Sequence, residues 1–534
     1  MTDAPLFLGV DVGTGSARAG LFDGKGTMLA SAKRDITMWR EAGSVVEQSS
    51  DDIWQAVCAA TREAVASAGI DPARVAGIGF DATCSLVVLG RDGAPLSVGP
   101  SGDPARNIIV WMDHRALDQA ARINAGGHDV LRYVGGVISP EMETPKLLWL
   151  KENLPATYDA AWQFMDLADF LTWRATGDLA RSTCTVTCKW TYLAHEDRWN
   201  AAYFRAIGLG DQAEDGFARI GTRMVAPGTR LGAGLTESAA ADLGLRPGTP
   251  VGAGLIDAHA GGIGTVGAEG MPQSNLAYVF GTSSCTMTST SDPVFVPGVW
   301  GPYFDAMVPG LWLNEGGQSA AGAAIDQLLQ FHPAYAEASA AAAAAGQPLP
   351  VFLAARATAS GDPIALAQGL HVVPEFLGNR APFADPHSRA IIAGLGMERD
   401  LQNLTALYVA GISGIGYGLR QIVETQEHAG AHVERVVISG GAGQSDLVRQ
   451  LLADATGLPV VSVTADEPVL LGSAILGAVA AGAYGNMPRA MRAMTHRSRQ
   501  YDPAPGAAGL HDGRYRVFCA LQDAGRLCQA NRPA

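Results

Sequence analysis

A short apolar run at residues 6–10 gives way to Asp-Val-Gly-Thr-Gly at 11–15 and returns at 17–22. Two apolar runs around a glycine-rich turn predict a β-hairpin. From Ser50, with Asp51 and Asp52 following, apolar residues at Ile53, Ala56, Val57, Ala60, Ala64 and Val65 keep a helical period, with Ser50 as expected N-cap. Residues 75–80 and 86–89 read as strands. Thr144-Pro145 opens a helix through 146–150, with proline expected at its first position. Near residue 250 the pattern restarts: small residues at 249–264, a strand at 277–280, a Gly-Thr-Ser-Ser turn at 281–284 and a strand from Cys285. A strand, a Gly-Thr turn and a returning strand therefore occur twice, and the second copy lacks the acid of the first. Later come a long glycine-containing helix from 400, a strand at 435–439, a turn at 440–443, a helix at 445–456 and a last helix at 515–529. Two α/β halves follow, drawn at 1–265 and 266–534.

Composition narrows the partners. The 534 residues carry 38 basic and 52 acidic side chains, a net charge of −14. That acidity argues against nucleic acid or an anionic membrane, both gripped by clustered Lys and Arg. Apolar residues make up 48% and charged residues 17%, enough for buried cores and too ordered a composition for wholesale disorder. Seven scattered cysteines specify no disulfide framework, and the start, Met-Thr-Asp-Ala-Pro, lacks the basic region of a signal peptide, so a cytoplasmic protein is expected. Cys184 and Cys188 read as structural, because no second Cys/His pair at ligand spacing accompanies them. His428 and His432 read as a solvent-facing pair.

The strongest local chemistry is the first hairpin. An acid, Asp11, ending a buried strand before Gly13, Thr14, Gly15 and Ser16 supplies a carboxylate for hydrated Mg²⁺ and backbone N–H groups for phosphate oxygens, with Arg18 as a fixed positive charge. A hairpin whose Asp11 only bonds its own turn is the alternative. No Walker loop surrounds Gly24-Lys25, and Gly262, Gly264 and Gly267 satisfy G-x-G-x-x-G without a β-branched strand before them. Asp257, set among glycines, can take a proton from an attacking hydroxyl or cap a helix.

Taken together, Asp-x-Gly-Thr at 11–14, the Asp257 segment, Gly-Thr-Ser at 281–283, Asn-Arg-Ala-Pro-Phe-Ala-Asp-Pro at 379–386, Ser-Gly-Gly-Ala-Gly-Gln-Ser at 439–445 and the 467–477 segment resemble the FGGY carbohydrate kinases. The resemblance spans roughly residues 5 to 500. Within that family, residues 80–87 and 111–116 look like the ribulokinase branch, and Thr-Cys-Ser-Leu-Val at 83–87 like its D-ribulokinase signature.

The resemblance implies an α/β fold of two actin-like, ribonuclease H-like ATPase domains, each a mixed sheet flanked by helices, with the site in the interdomain cleft. It implies ATP and Mg²⁺: Gly13, Thr14, Gly15, Ser16, Arg18, Gly281, Thr282 and Ser283 at the phosphates, Asp11 at the metal, and Gly440, Gly441, Gln444 and Gly472 near the adenosine. Thr83, Cys84, Ser85, Asp113, Lys189 and Glu315 would hold an open-chain ketopentose, D-ribulose before L-ribulose, ribitol or D-xylulose, with Asp257 as base. A hydrolytic ATPase or a silent sugar sensor of the same superfamily are the alternatives from other classes. A homodimer is left open.

Overall fold

The computed structural model describes residues 4–41, 43–268 and 270–530; Met1, Thr2 and Asp3, part of the segment used to argue against a signal peptide, lie outside them. The first half is built on β1 (Leu6–Val12), β2 (Ser16–Phe22), β3 (Met28–Asp35), helix α1 (Ser50–Ser67) and β4 (Val75–Ala82), followed by helix α2 (Thr183–Trp190), β5 (Leu255–Ile256) and helix α3 (Asp257–Val266). Its sheet runs β5-β4-β1-β2-β3, with β1, β4 and β5 parallel and β2 antiparallel to both neighbours. The second half repeats that plan with β6 (Asn275–Phe280), β7 (Ser284–Thr290), β8 (Trp300–Phe304), β9 (Trp312–Gln318), helix α4 (Leu401–His428), β10 (Arg435–Ser439), helix α5 (Asp446–Thr456), β11 (Val460–Val463), helix α6 (Pro468–Ala480) and β12 (Arg497–Tyr501). Its order, β8-β9-β7-β6-β10-β11-β12, contains the first sheet's sequence of pairings with one strand added at each edge.

Period-two alternation sets what each strand faces. Along β1, Leu8, Val10 and Val12 join one core with Ile53 and Val57 of α1. Each such buried side chain stabilises the fold by roughly 1.5–3 kcal/mol. The other face carries Phe7, Gly9 and Asp11. Helix α6 packs there although it belongs to the second half of the chain, so closely that a Cβ on Gly9 would overlap the Leu470 carbonyl. Reciprocally, Ala260 and Ile263 of α3 share a core with Ala277 and Met287 of the second sheet. The two helices pack against each other through Gly264 and Gly472.

Small corrections follow from local geometry. The N-cap of α1 is Ser49, whose side chain accepts from the Asp52 N–H, one residue earlier than expected. The helix containing Pro145 begins at Glu143, so the proline sits in the third position of the first turn, where its missing N–H still breaks no bond. Asp257 is the first residue of α3, after an N-cap at Ile256 that makes no side-chain capping bond. His428 ends α4 and His432 lies beyond it, both exposed. Among the described residues no single helix is long and apolar enough to cross a membrane.

Candidate active site

Three carboxylates gather where the parallel strands of the first sheet end. Asp11 of β1 stands opposite Asp81 of β4, and β5 pairs Leu255 with Asp81, so that Asp257 follows one step beyond the ladder. Asp11 forms an ion pair with Arg18, which also reaches Glu467 at 2.8 Å. Asp81 Oδ2 accepts from Ser473 Oγ of α6 at 2.5 Å, while its buried Oδ1 finds no donor among the described residues. Burial, then the facing Asp11, push the Asp81 carboxyl well above the usual carboxylate range. An orphaned carboxylate oxygen beside a second carboxylate is the oxygen-rich arrangement a hard divalent cation neutralises. Asp11 and Asp81 therefore fit Mg²⁺.

Asp257 is anchored by its own helix: Oδ1 accepts from the Ala258 N–H at 2.7 Å. Burial deep in the cleft, then Asp11, raise its carboxyl to about 6. It opens onto a cavity of about 320 Å³ shared with Asp11, Gly13, Thr14, Arg18 and Ser283. Thr83, Cys84, Lys189 and Glu315 line the same cavity. Burial disfavours the Lys189 charge, but Cys84 and Glu315 outweigh it and hold the ammonium well above its ordinary value. Lys189 also lies 5.8 Å over the Trp300 ring.

A second cavity, about 620 Å³ and mostly apolar, lies across the second hairpin. Strand β6 separates the two, with Val279 facing the small one and Phe280 the large one. Gly441, Gln444, Tyr408 and Ile412 line the large cavity. At Gly441 a Cβ would meet nothing, so its backbone is open to a ligand. The hairpin turns themselves are tied by Gly13 N–H to the Ser16 carbonyl and Gly281 N–H to the Ser283 carbonyl, both at 3.0 Å. Gly15 and Thr282 are exposed at the turn tips.

Several expected site residues do other work. Both oxygens of Asp113 are committed, to Val46 N–H, Arg115 N–H and the Arg115 guanidinium at 2.6–2.9 Å, and the side chain is fully buried away from the cavity. Ser85 is also buried; it accepts from the Trp111 N–H at 3.1 Å and so positions the ring that does face the cavity. Gly472 lies where α6 meets α3, and a Cβ there would overlap the Ala260 carbonyl, so helix packing, not an adenosine, requires its smallness. Gly440, at φ +92, approaches the Phe280 backbone and shapes the turn that presents Gly441.

The fold also supplies groups the motifs did not single out: Asp81, Trp111, Glu141, Trp300, Arg380 and His259. Trp111 Nε1–H donates to Thr14 Oγ1 at 3.0 Å, joining the small cavity to the first hairpin. His259, distant in sequence, completes a buried cluster with Cys184 and Cys188 that the cysteine spacing alone did not suggest. Asp81 had a legible signal, since Gly79-Phe80-Asp81 repeats the Gly-x-Asp of Gly9-Val10-Asp11.

Comparison with known proteins identifies the family and the fold. The N-terminal domain of the FGGY family of carbohydrate kinases matches residues 6–264 and its C-terminal domain residues 276–481. An FGGY carbohydrate kinase domain-containing protein of Homo sapiens is 47% identical, with 96% of each chain covered. A D-ribulokinase of Saccharomyces cerevisiae is 39% identical over 90% of this chain and 72% of its own. The fold is also that of a xylulose kinase from Rhodospirillum rubrum, at 24% identity and TM-score 0.82 over 98% of this chain and all of that one. The chain belongs to the FGGY family of carbohydrate kinases and is an ATP-dependent sugar kinase.

Proposed function

We propose that the enzyme phosphorylates the terminal hydroxyl of a ketopentose, converting D-ribulose to D-ribulose 5-phosphate. The observation that carries this reading is one cavity lined by Asp257, by Lys189 and Glu315, and by the first phosphate hairpin. A base, a hydrogen-bonding wall and a phosphate cradle in one cavity are the parts an in-line transfer to a sugar hydroxyl needs. The choice of D-ribulose is supported by the D-ribulokinase of Saccharomyces cerevisiae, and that of a ribulose in general by a ribulokinase of Mycolicibacterium smegmatis, 33% identical over 86% of this chain and 81% of its own.

In this reading the adenosine of ATP lies in the large cavity against Gly441 and Gln444, and its phosphates cross the second hairpin towards Gly13 and Thr14. Asp11 and Asp81 hold Mg²⁺, whose chemistry there is to neutralise phosphoryl charge. Lys189, Glu315 and Thr83 orient the open-chain sugar, and Trp111 offers its ring as an apolar wall. Asp257 Oδ2, free of the bond that ties Oδ1, accepts the hydroxyl proton as the oxygen attacks. Closing the cleft excludes water that would otherwise be the acceptor.

The test is ADP release measured across D-ribulose, L-ribulose, ribitol and D-xylulose. D-Ribulose is expected to show the highest kcat/KM. A clear preference for another of the four, or sugar-independent ADP release, would overturn the assignment.

A further inference from the structure

Behind the wall of the small cavity a chain of buried polar groups runs from α2 to β9. Cys184 Sγ lies 3.1 Å from His259 Nδ1, and His259 Nε2 lies 3.4 Å from Glu315 Oε2 as an ion pair. His259 is wholly buried, and Glu315 is only 8% exposed. Among the described residues this is the ion pair that Glu315 makes. Without it, a carboxylate on the cavity wall would depend on more distant cations.

The Glu315 carboxylate requires a proton on Nε2. The remaining proton of the chain sits either on Cys184 as a thiol donating to Nδ1 or on Nδ1 facing a thiolate. The surroundings of Cys184 favour the second arrangement. Its Sγ accepts from the Ile256 N–H at 3.4 Å, and Cys184 is the second residue of α2, where helix N–H groups favour negative charge. Burial opposes a thiolate, yet the Cys188 hydrogen bond and His259 bring Cys184 down to about 5. Burial likewise opposes an imidazolium, yet Cys184 and Glu315 raise His259 to about 10.

We propose that His259 is a positioning residue for sugar binding: a doubly protonated imidazole, held by Cys184, that keeps the Glu315 carboxylate ionised and aimed at the sugar. This rests on Glu315 being a sugar ligand and goes beyond it by assigning the groups that make it one. The titratable groups facing Glu315 are His259, Lys189, Arg380, Cys188, Cys285 and Tyr303; those facing His259 are Cys184, Cys188, Glu315 and Asp257. Burial pushes Glu315 up, but His259 first, then Lys189 and Arg380, bring it to about 2. Loss of His259 removes the largest of these favourable influences.

Steady-state kinetics with D-ribulose and ATP across about pH 6 to 8 test it. The wild-type KM for sugar is expected to stay flat, because every member of the chain keeps its charge in that window. His259→Gln should raise the sugar KM roughly tenfold or more. The rise should be steepest at the acid end, with a smaller change in kcat and none in the KM for ATP. Cys184→Ser keeps an oxygen on Nδ1 without a thiolate and should give an intermediate rise with the same pH trend. If either variant fails to fold, the ¹⁵N spectrum of the wild-type imidazoles decides, with both His259 nitrogens expected to be protonated at about pH 8. A neutral His259 in that spectrum, or a His259→Gln enzyme with wild-type sugar KM at every pH, overturns the proposal. So does a stoichiometric zinc ion in the purified protein whose removal by chelator abolishes sugar affinity, since it would occupy Nδ1. Absence of D-ribulose-dependent ADP release in the wild type would instead indict the substrate assignment.

Discussion

Asp11 and Asp81 are register partners in adjacent parallel strands, each two residues along its strand from a glycine, Gly9 or Gly79, that meets α6. Two carboxylates so placed repel each other, and the buried Oδ1 of Asp81 has no protein donor to relieve it among the described residues. Asp81→Asn removes that repulsion while keeping the Ser473 contact. The variant is expected to melt no lower than wild type without ligand, while its Mg²⁺-induced thermal shift needs roughly tenfold or more metal. An unchanged Mg²⁺ titration would remove Asp81 from the metal site.

Asp257→Asn should lower kcat by roughly 10²–10⁴-fold with nucleotide binding retained. The wild-type carboxyl, raised to about 6 by burial and Asp11, must be ionised to accept a proton. Hence kcat/KM is expected to fall as pH drops through about 6, and the variant's residual rate should lack that limb. The stability effect has the opposite sign. A raised folded-state value means burial of the carboxylate destabilises the protein as pH rises from about 4 through about 6, so the asparagine variant should melt higher than wild type at neutral pH and equal it near about pH 4. Parallel pH–rate and thermal-melt series check both halves.

Trp111→Phe keeps a ring on the cavity wall but deletes the N–H bonded to Thr14 Oγ1. Loss of one such bond is worth about 1 kcal/mol. The expected outcome is a several-fold loss in sugar-dependent transfer and a larger fraction of ADP released without phosphorylated sugar, measured by comparing the two products. A variant with wild-type coupling would reduce Trp111 to a packing residue.

Gly441 and Gly472 separate ligand approach from helix packing. Gly441→Val places a side chain in open cavity space and should leave the melting temperature near wild type while raising the KM for ATP. Gly472→Ala forces a Cβ against the Ala260 backbone and should cost about 1–3 kcal/mol of stability. Denaturant unfolding alongside ATP titration distinguishes them, and a stable Gly472→Ala enzyme with weakened ATP binding would return Gly472 to the nucleotide site.

Local pattern carried far in this chain. Alternating apolar runs and turn residues were enough to find both hairpins, the helix from Ser50 and the strand at 435–439, because hairpin turns and amphipathic periods are short-range effects. Local chemistry singled out Asp11 and Asp257 and the family resemblance Lys189 and Glu315, and all four line one cavity. Sequence order could not reveal that α6 packs on the first sheet, because the glycines meeting it at 9, 77 and 79 are nearly 400 or more residues away. That packing turned Gly472 from a ligand contact into a helix contact and brought Ser473 to Asp81. Nor does spacing show whether a polar residue faces a cavity or its own scaffold: Asp113 and Ser85 were absorbed by Arg115 and Trp111, and His259 met Cys184 across 75 positions. Chain pattern sets which chemistry is present; long-range packing in a low-dielectric interior sets which of those groups face the ligand and which neutralise one another.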